Sequence, residues 1–309
     1  MASIQDCAGL SLDVYDRAGS STAASAGWAR IDGQNWGNGF AAGQYVQGSE
    51  LVMAFRGTDT DDANDLLSDA MMVPILTTGA AQHAIQTIFR EAGVHDVNMI
   101  TVLAPRLVEA LVNLPAVQAA IWIAGNRVPN GQLQDALAYF DRCSPRPRFV
   151  TGHSLGGALA QLVSHERSVP VVAFNSPYMG TLRGAIRASS QIILMVNARG
   201  DPLSGATRAV GNVPHGRDIV LSVESPSHPP PQFQRRDLRW SDLLSTLSPL
   251  GSAVRLSIRE TEAHARYYRA FLSYLGEVLL HYHSMGALML ELLRDGRYSS
   301  QLREDFTNV

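Results

Sequence analysis

Arg148-Phe-Val-Thr-Gly-His-Ser-Leu-Gly-Gly-Ala-Leu-Ala160 is the stretch that decides the fold. Residues 148–151 read as a short strand, and Leu155, Leu159, Leu162 and Val163 then repeat at helical spacing. Gly156, Gly157, Ala158 and Ala160 leave room for that helix to lie close on a sheet. Between strand and helix, Gly152-His-Ser-Leu-Gly156 has the G-x-S-x-G spacing of a nucleophile elbow. The spacing has a steric cause. A serine on so sharp a turn takes strained backbone angles, and chain passes close on both sides, so the residues two before and two after it must lack a side chain. The turn lifts the Ser154 hydroxyl clear of the sheet. It also leaves the Leu155 N–H without an intrahelical acceptor at a helix N-terminus, facing the reacting site. No lysine follows the glycines, which excludes a phosphate-binding P-loop.

Outward from the elbow, the chain alternates as α/β proteins do. A strand is expected at 170–174, a helix near 182–188, a strand at 191–197 and a last strand at 218–223. Upstream, residues 28–32, 40–46 and 50–55 read as strands separated by Gly- and Asn-rich turns such as Gly33-Gln-Asn-Trp-Gly-Asn-Gly39, which predicts local antiparallel pairing. The 50–55 run is almost wholly apolar, as a strand covered on both faces would be. Ile4, Ala8, Leu12 and Tyr15 open the chain at helical spacing, and residues 65–141 and 253–293 read as mostly helical, the latter with breaks at Gly276 and near Ser284. The expectation is one α/β domain over 1–309 carrying two helical insertions, at 70–142 and 225–280.

Composition narrows the function. A chain of 309 residues with 46% hydrophobic and 17% charged residues has the profile of a globular protein. Its net charge of −3 and scattered Lys and Arg give no basic stripe, so nucleic-acid binding is not expected. The two cysteines, Cys7 and Cys143, make no disulfide framework. The start of the chain lacks a secretory signal, so cytoplasmic synthesis is expected, with export left to a leaderless route. The apolar stretches 98–125 and 271–293 are interrupted by charges or prolines, so neither is expected to cross a membrane.

Phe55-Arg-Gly-Thr58 followed by Thr151-Gly-His-Ser-Leu-Gly-Gly-Ala-Leu-Ala160 resembles the class 3 lipases, the fungal-lipase-like branch of the α/β hydrolases. Asp65-Leu-Leu-Ser-Asp69 is similar to the family's Asp-Trp-x-x-Asp segment, with Leu66 in place of Trp. Ala173-Phe-Asn-Ser-Pro177 resembles its Phe-Gly-Ser-Pro strand end, with Asn175 in place of Gly. Asn197-Ala-Arg-Gly-Asp-Pro202 resembles the region bearing the acid. The match runs roughly from Trp28 to Val223. It implies an α/β-hydrolase fold with a mostly parallel sheet and a helical cap, in a bacterial-type member with an expanded lid and a C-terminal helical insertion. It further implies that Thr58 supplies a second oxyanion N–H beside that of Leu155, with Arg56 and Asp69 as structural partners.

The order of groups on this fold is serine, then acid, then histidine. Asp201 follows the 191–197 strand at the end that reaches the site, and Pro202 fixes the turn. Asp218 is the alternative acid, although the start of a strand points it the other way. For the base, His153, His83, His95 and His165 are out of order, which leaves His215, His228, His264, His281 and His283. His283-Ser-Met285, before an apolar helix at 286–293, resembles the His-Ser-Met that opens the last helix in bacterial members. His283 is therefore the first candidate, with His281 and His228 as alternatives.

The expected activity is hydrolysis of carboxylic esters of lipids by a Ser154–His283–Asp201 triad through an acyl-enzyme, as a lipase or phospholipase acting at a membrane or micelle surface. The apolar stretch 97–123 reads either as a cap over an acyl cleft or as a buried helical subdomain. Two other readings stand beside this one: a small-ester or thioester hydrolase, and an inactive hydrolase fold serving as a binding module. A leaderless lipid esterase also suits an exported effector, whose partner would be an inhibitory protein. No cofactor or metal is expected. The acidic run 59–69 lacks an EF-hand pattern, no Cys/His spacing suits zinc, and there is no dinucleotide fingerprint.

Overall fold

Seven strands form a single sheet in sequence order, β1-β2-β3-β4-β5-β6-β7. They are β1 (Ala29–Asn35), β2 (Ala41–Gln47), β3 (Glu50–Phe55), β4 (Phe149–His153), β5 (Val171–Phe174), β6 (Ile193–Ala198) and β7 (Arg217–Leu221). The computed structural model describes residues 2–16, 27–35, 40–57, 132–179, 193–209, 214, 216–224, 281–300 and 302, all within one compact unit. The expected helices near 182–188 and across most of 65–131 and 253–280 lie outside the described residues, as do most of the two proposed insertions.

The first three strands form an antiparallel meander, and β3 to β7 pair in parallel. β1 runs further than the sequence suggested. Gln34 and Asn35, read as part of a turn, pair with Ala42 and Ala41. An edge strand has only one neighbour, and its backbone pairing does not require apolar side chains.

Side-chain alternation sorts the parallel strands into two cores. Leu51, Met53 and Phe55 of β3, Val150, Val171, Ala173 and Met195 join one cluster; Val52, Ala54, Phe149, Val172, Phe174, Leu194 and Val196 join the other. The first face is covered by α2 (Gln132–Asp141) and α3 (Leu155–Arg167), the second by α1 (Ile4–Asp13) packed against α5 (Met285–Arg294). Every residue of β3 is buried, which is why it reads as a continuous apolar run. α4 (Pro202–Ala209) follows β6. This is the mostly parallel, helix-flanked sheet of an α/β-hydrolase fold.

The consequence for function is positional. Four parallel neighbours, β3 to β6, end at the same edge and deliver Gly57, Ser154, Asn175 and Asp201 there.

Candidate active site

β4 ends at His153, and Ser154 turns the chain into α3 at φ 59° and ψ −131°, a conformation L side chains rarely adopt. Two features hold it there. The Ser154 N–H donates to the Phe174 carbonyl at 3.0 Å, and the Ser154 carbonyl accepts the Ala158 N–H at 3.2 Å. The flanking glycines are required for a visible reason: a Cβ at Gly156 collides with the Phe55 carbonyl oxygen, and one at Gly152 collides with the Gly156 carbonyl. Leu155 is the first residue of α3, so its N–H has no acceptor within the helix.

Asp201 and His283, 82 residues apart, meet in the interior. His283 Nδ1 lies 2.6 Å from Asp201 Oδ1, with Asp201 0% and His283 1% exposed. A carboxylate only accepts, so Nδ1 carries a proton and donates it to Asp201; in the neutral imidazole Nε2 is then the nitrogen with the lone pair. The second carboxylate oxygen, Oδ2, accepts the Ser204 N–H at 2.7 Å. Asp201 thereby caps α4, whose first residue, Pro202, has no N–H to satisfy. Burial pushes the Asp201 carboxyl up, but the His283 charge, the His283 hydrogen bond and the Ser204 donors outweigh it and hold the group below the usual carboxylate range.

Ser154 Oγ and His283 Nε2 are among several buried polar atoms with no hydrogen-bond partner among the described residues, so they do not bond each other here. Buried polar atoms left without a partner cost free energy, and each calls for an account.

His153 ties His283 to the elbow. Its ring lies 4.8 Å from the His283 ring, centroid to centroid, and its Nε2 is 2.8 Å from the His283 carbonyl oxygen. A carbonyl only accepts, so His153 is protonated at Nε2 and its Nδ1 accepts from Tyr15 Oη at 3.0 Å. That phenol oxygen in turn accepts the Gly57 N–H at 3.1 Å. Burial first, and the His283 charge second, lower the His153 pKa to about 3 against the opposing hydrogen bond to the His283 carbonyl and the Asp201 charge.

A pH dependence of stability follows. Between its ordinary value of 6.5 and about 3, the unfolded chain binds a proton at His153 that the folded chain refuses. Stability from this group is complete above 6.5 and falls by about 1.4 kcal/mol per pH unit as the solution is acidified through that window. In His153→Gln, which keeps a donor near the His283 carbonyl, urea unfolding between about pH 6 and about pH 4 is expected to be less pH-dependent by about that slope. Equal slopes in the two proteins would contradict the assignment.

The other sequence candidates divide clearly. His281 is at the surface end of its turn, its Nε2 donating to the Glu224 carbonyl at 2.6 Å. Asp218 accepts from Asn197 Nδ2 at 2.9 Å and from Tyr178 Oη at 2.6 Å, and so belongs to a separate network. Thr58, Asp69, His215, His228 and His264 lie outside the described residues, as does the acidic run 59–69. Arg56 is buried, with its N–H on the Ala41 carbonyl. Among the described residues no cluster of His, Cys, Asp or Glu is arranged to hold a metal ion, and no helix is long and apolar enough to cross a membrane. The sequence places Tyr15 on the apolar face of the opening helix, which ends at Asp13 instead, and His153 reads as part of the elbow only. Asn175 reads merely as a departure from glycine, and that departure was the available signal.

The sheet topology and the strand–serine–helix turn are those of an α/β-hydrolase fold. No protein-family model matches the chain, and no curated protein matches it. Among solved structures, the native propeptide complex of Rhizomucor miehei lipase is similar at 16% identity and a TM-score of 0.43, over 72% of this chain and 68% of that one. A fungal lipase–inhibitor complex, described as a model for interfacial activation in lipases, is similar at 16% identity and a TM-score of 0.40, over 70% of this chain and 77% of that one.

Proposed function

We propose that this protein is a serine hydrolase that cleaves carboxylic esters of lipids, with Ser154 as nucleophile, His283 as base and Asp201 as the acid that orients it. The observation that carries the reading is the buried His283–Asp201 hydrogen bond at the sheet edge where the elbow places Ser154; Ser154 Oγ and His283 Nε2 do not bond each other in this structure, and each is left without a partner among the described residues. His283 Nε2 takes the Ser154 proton as Oγ attacks the ester carbonyl, and then gives it to the departing alcohol. The resulting acyl-enzyme is hydrolysed by a water that the same nitrogen deprotonates. The developing oxyanion is met by the Leu155 N–H at the head of α3 and, by the resemblance at Phe55–Thr58, by that of Thr58. Asp201 keeps the proton on Nδ1 and stabilises the imidazolium that forms.

The lipid class rests on the family resemblance of the elbow and of Phe55–Thr58, together with the apolar stretch 97–123. The test is fatty-acid release from triacylglycerol emulsion, from phosphatidylcholine vesicles and from p-nitrophenyl esters of increasing chain length. Wild type is expected to favour long acyl chains, and Ser154→Ala to release fatty acid on the order of 10⁶-fold more slowly than wild type. A preference for acetyl over long-chain esters would move the assignment to a small-ester hydrolase. No hydrolysis, together with no labelling of Ser154 by a fluorophosphonate, would leave a binding module.

A further inference from the structure

We propose that Asn175 is a positioning residue for the base, clamping the backbone of His283 to the strand end that leads to Asp201. The proposal rests on the reading of His283 as the base and adds a group that none of the triad logic requires. Residues 281–283 are helical, and the helical run breaks at Ser284 before α5 begins. Ser284 caps α5, with its Oγ accepting the N–H groups of Gly286 and Ala287 at 3.2 and 3.4 Å. Those are the donors that a continuous helix would offer to the carbonyls of Tyr282 and His283, four residues earlier. The break therefore orphans two carbonyls on buried residues.

Asn175 answers both. Its Nδ2 donates to the Tyr282 carbonyl at 3.1 Å and to the His283 carbonyl at 3.0 Å, the latter shared with His153 Nε2. The other end of the same amide is fixed: Oδ1 accepts the Ala198 N–H at 2.8 Å, and the Asn175 N–H donates to the Val196 carbonyl at 3.0 Å. The Ala198 carbonyl in turn accepts the Asp201 N–H at 3.0 Å. One fully buried side chain thus spans the segment bearing His283 and the segment bearing Asp201. Asn175 sits at φ 41°, where glycine is at ease and asparagine is among the few tolerated alternatives. Glycine would satisfy the backbone there but not the two carbonyls.

The experiment measures the rate of fluorophosphonate labelling at Ser154, which needs a placed base, in the purified full chain. Asn175→Gly is expected to label about 10²-fold more slowly, the scale at which a misplacement of about 1 Å is felt. In ester hydrolysis the loss should fall on kcat, with KM held within about twofold, since binding equal in ground and transition states is not what was removed. The melting temperature should drop by only about 5 °C, because glycine accepts the positive φ. Asn175→Asp, of equal size, keeps an acceptor for Ala198 but sets a carboxylate against two carbonyls. It is expected to be slow too, and it serves as the test if the glycine variant does not fold. In a His283→Ala background, Asn175→Gly should slow labelling by less than about twofold, because a residue acting through His283 has nothing left to act on. Wild-type labelling rates in folded Asn175→Gly, or an equal loss with and without His283, would overturn the proposal while leaving the serine-hydrolase reading intact. If wild type itself fails to label, that reading falls and this inference with it.

Discussion

His283→Ala and Ser154→Ala are each expected to lower kcat by on the order of 10⁶-fold, and the double variant is expected to lose no more than either alone. Groups that act as a unit are not additive. On the proposed roles, Ser154 Oγ without its base is an ordinary alcohol, and His283 without the serine has no proton to take. The residual rate should be that of the Leu155 N–H and substrate binding, about 10³-fold to 10⁴-fold above water. His281→Ala is the internal control. Its ring bonds the Glu224 carbonyl at the surface rather than Asp201, so kcat should stay within about twofold. Steady-state hydrolysis of a p-nitrophenyl ester separates these outcomes, with circular dichroism confirming the fold. If His281→Ala lost activity and His283→Ala kept it, the assignment would be reversed.

The contrast between those two histidines shows what the sequence carries and what it does not. Strand and helix assignments are local. β3 is buried on both faces and reads as six nearly continuous apolar residues; α3 displays its core face at helical spacing; the elbow declares itself through glycines whose missing Cβ atoms would collide with backbone. Even the overlong β1 failed for a local reason, since edge pairing leaves no hydrophobic mark. Which histidine meets Asp201 is a different kind of fact, fixed by packing across 82 residues. His281 and His283 are two residues apart in one helical turn, so periodicity does not distinguish them, and only the resemblance at His283-Ser-Met285 favoured one. What separates them is that α5 packs on α1, that Ser284 breaks the helical run before it, and that one ring is turned inward. The His283 backbone clamp was further hidden, because Asn175 and His153 are recognisable as donors only once that break has orphaned two carbonyls.

Asp201→Asn is expected to lower kcat by about 10⁴-fold, and the reason is which way the new amide must point. In the wild type, Oδ2 accepts the Ser204 N–H at 2.7 Å, a bond at the cap of α4 that only an oxygen can make. An asparagine keeps that bond by placing its oxygen there, which turns its NH₂ towards His283 Nδ1. A donor then faces the nitrogen that has been donating. The imidazole responds by moving its proton to Nε2, and the atom that should receive the Ser154 proton already holds one. The chain keeps its fold and loses its base. Asp218→Asn tests the alternative acid on the same assay. Asp218 serves Asn197 and Tyr178, so its loss should be felt as a lower melting temperature, with kcat changed by less than about tenfold. A small effect at Asp201 and a large one at Asp218 would transfer the orienting role from one carboxylate to the other. The geometry argues against that result, because the carboxylate that receives the His283 proton donor at 2.6 Å is Asp201.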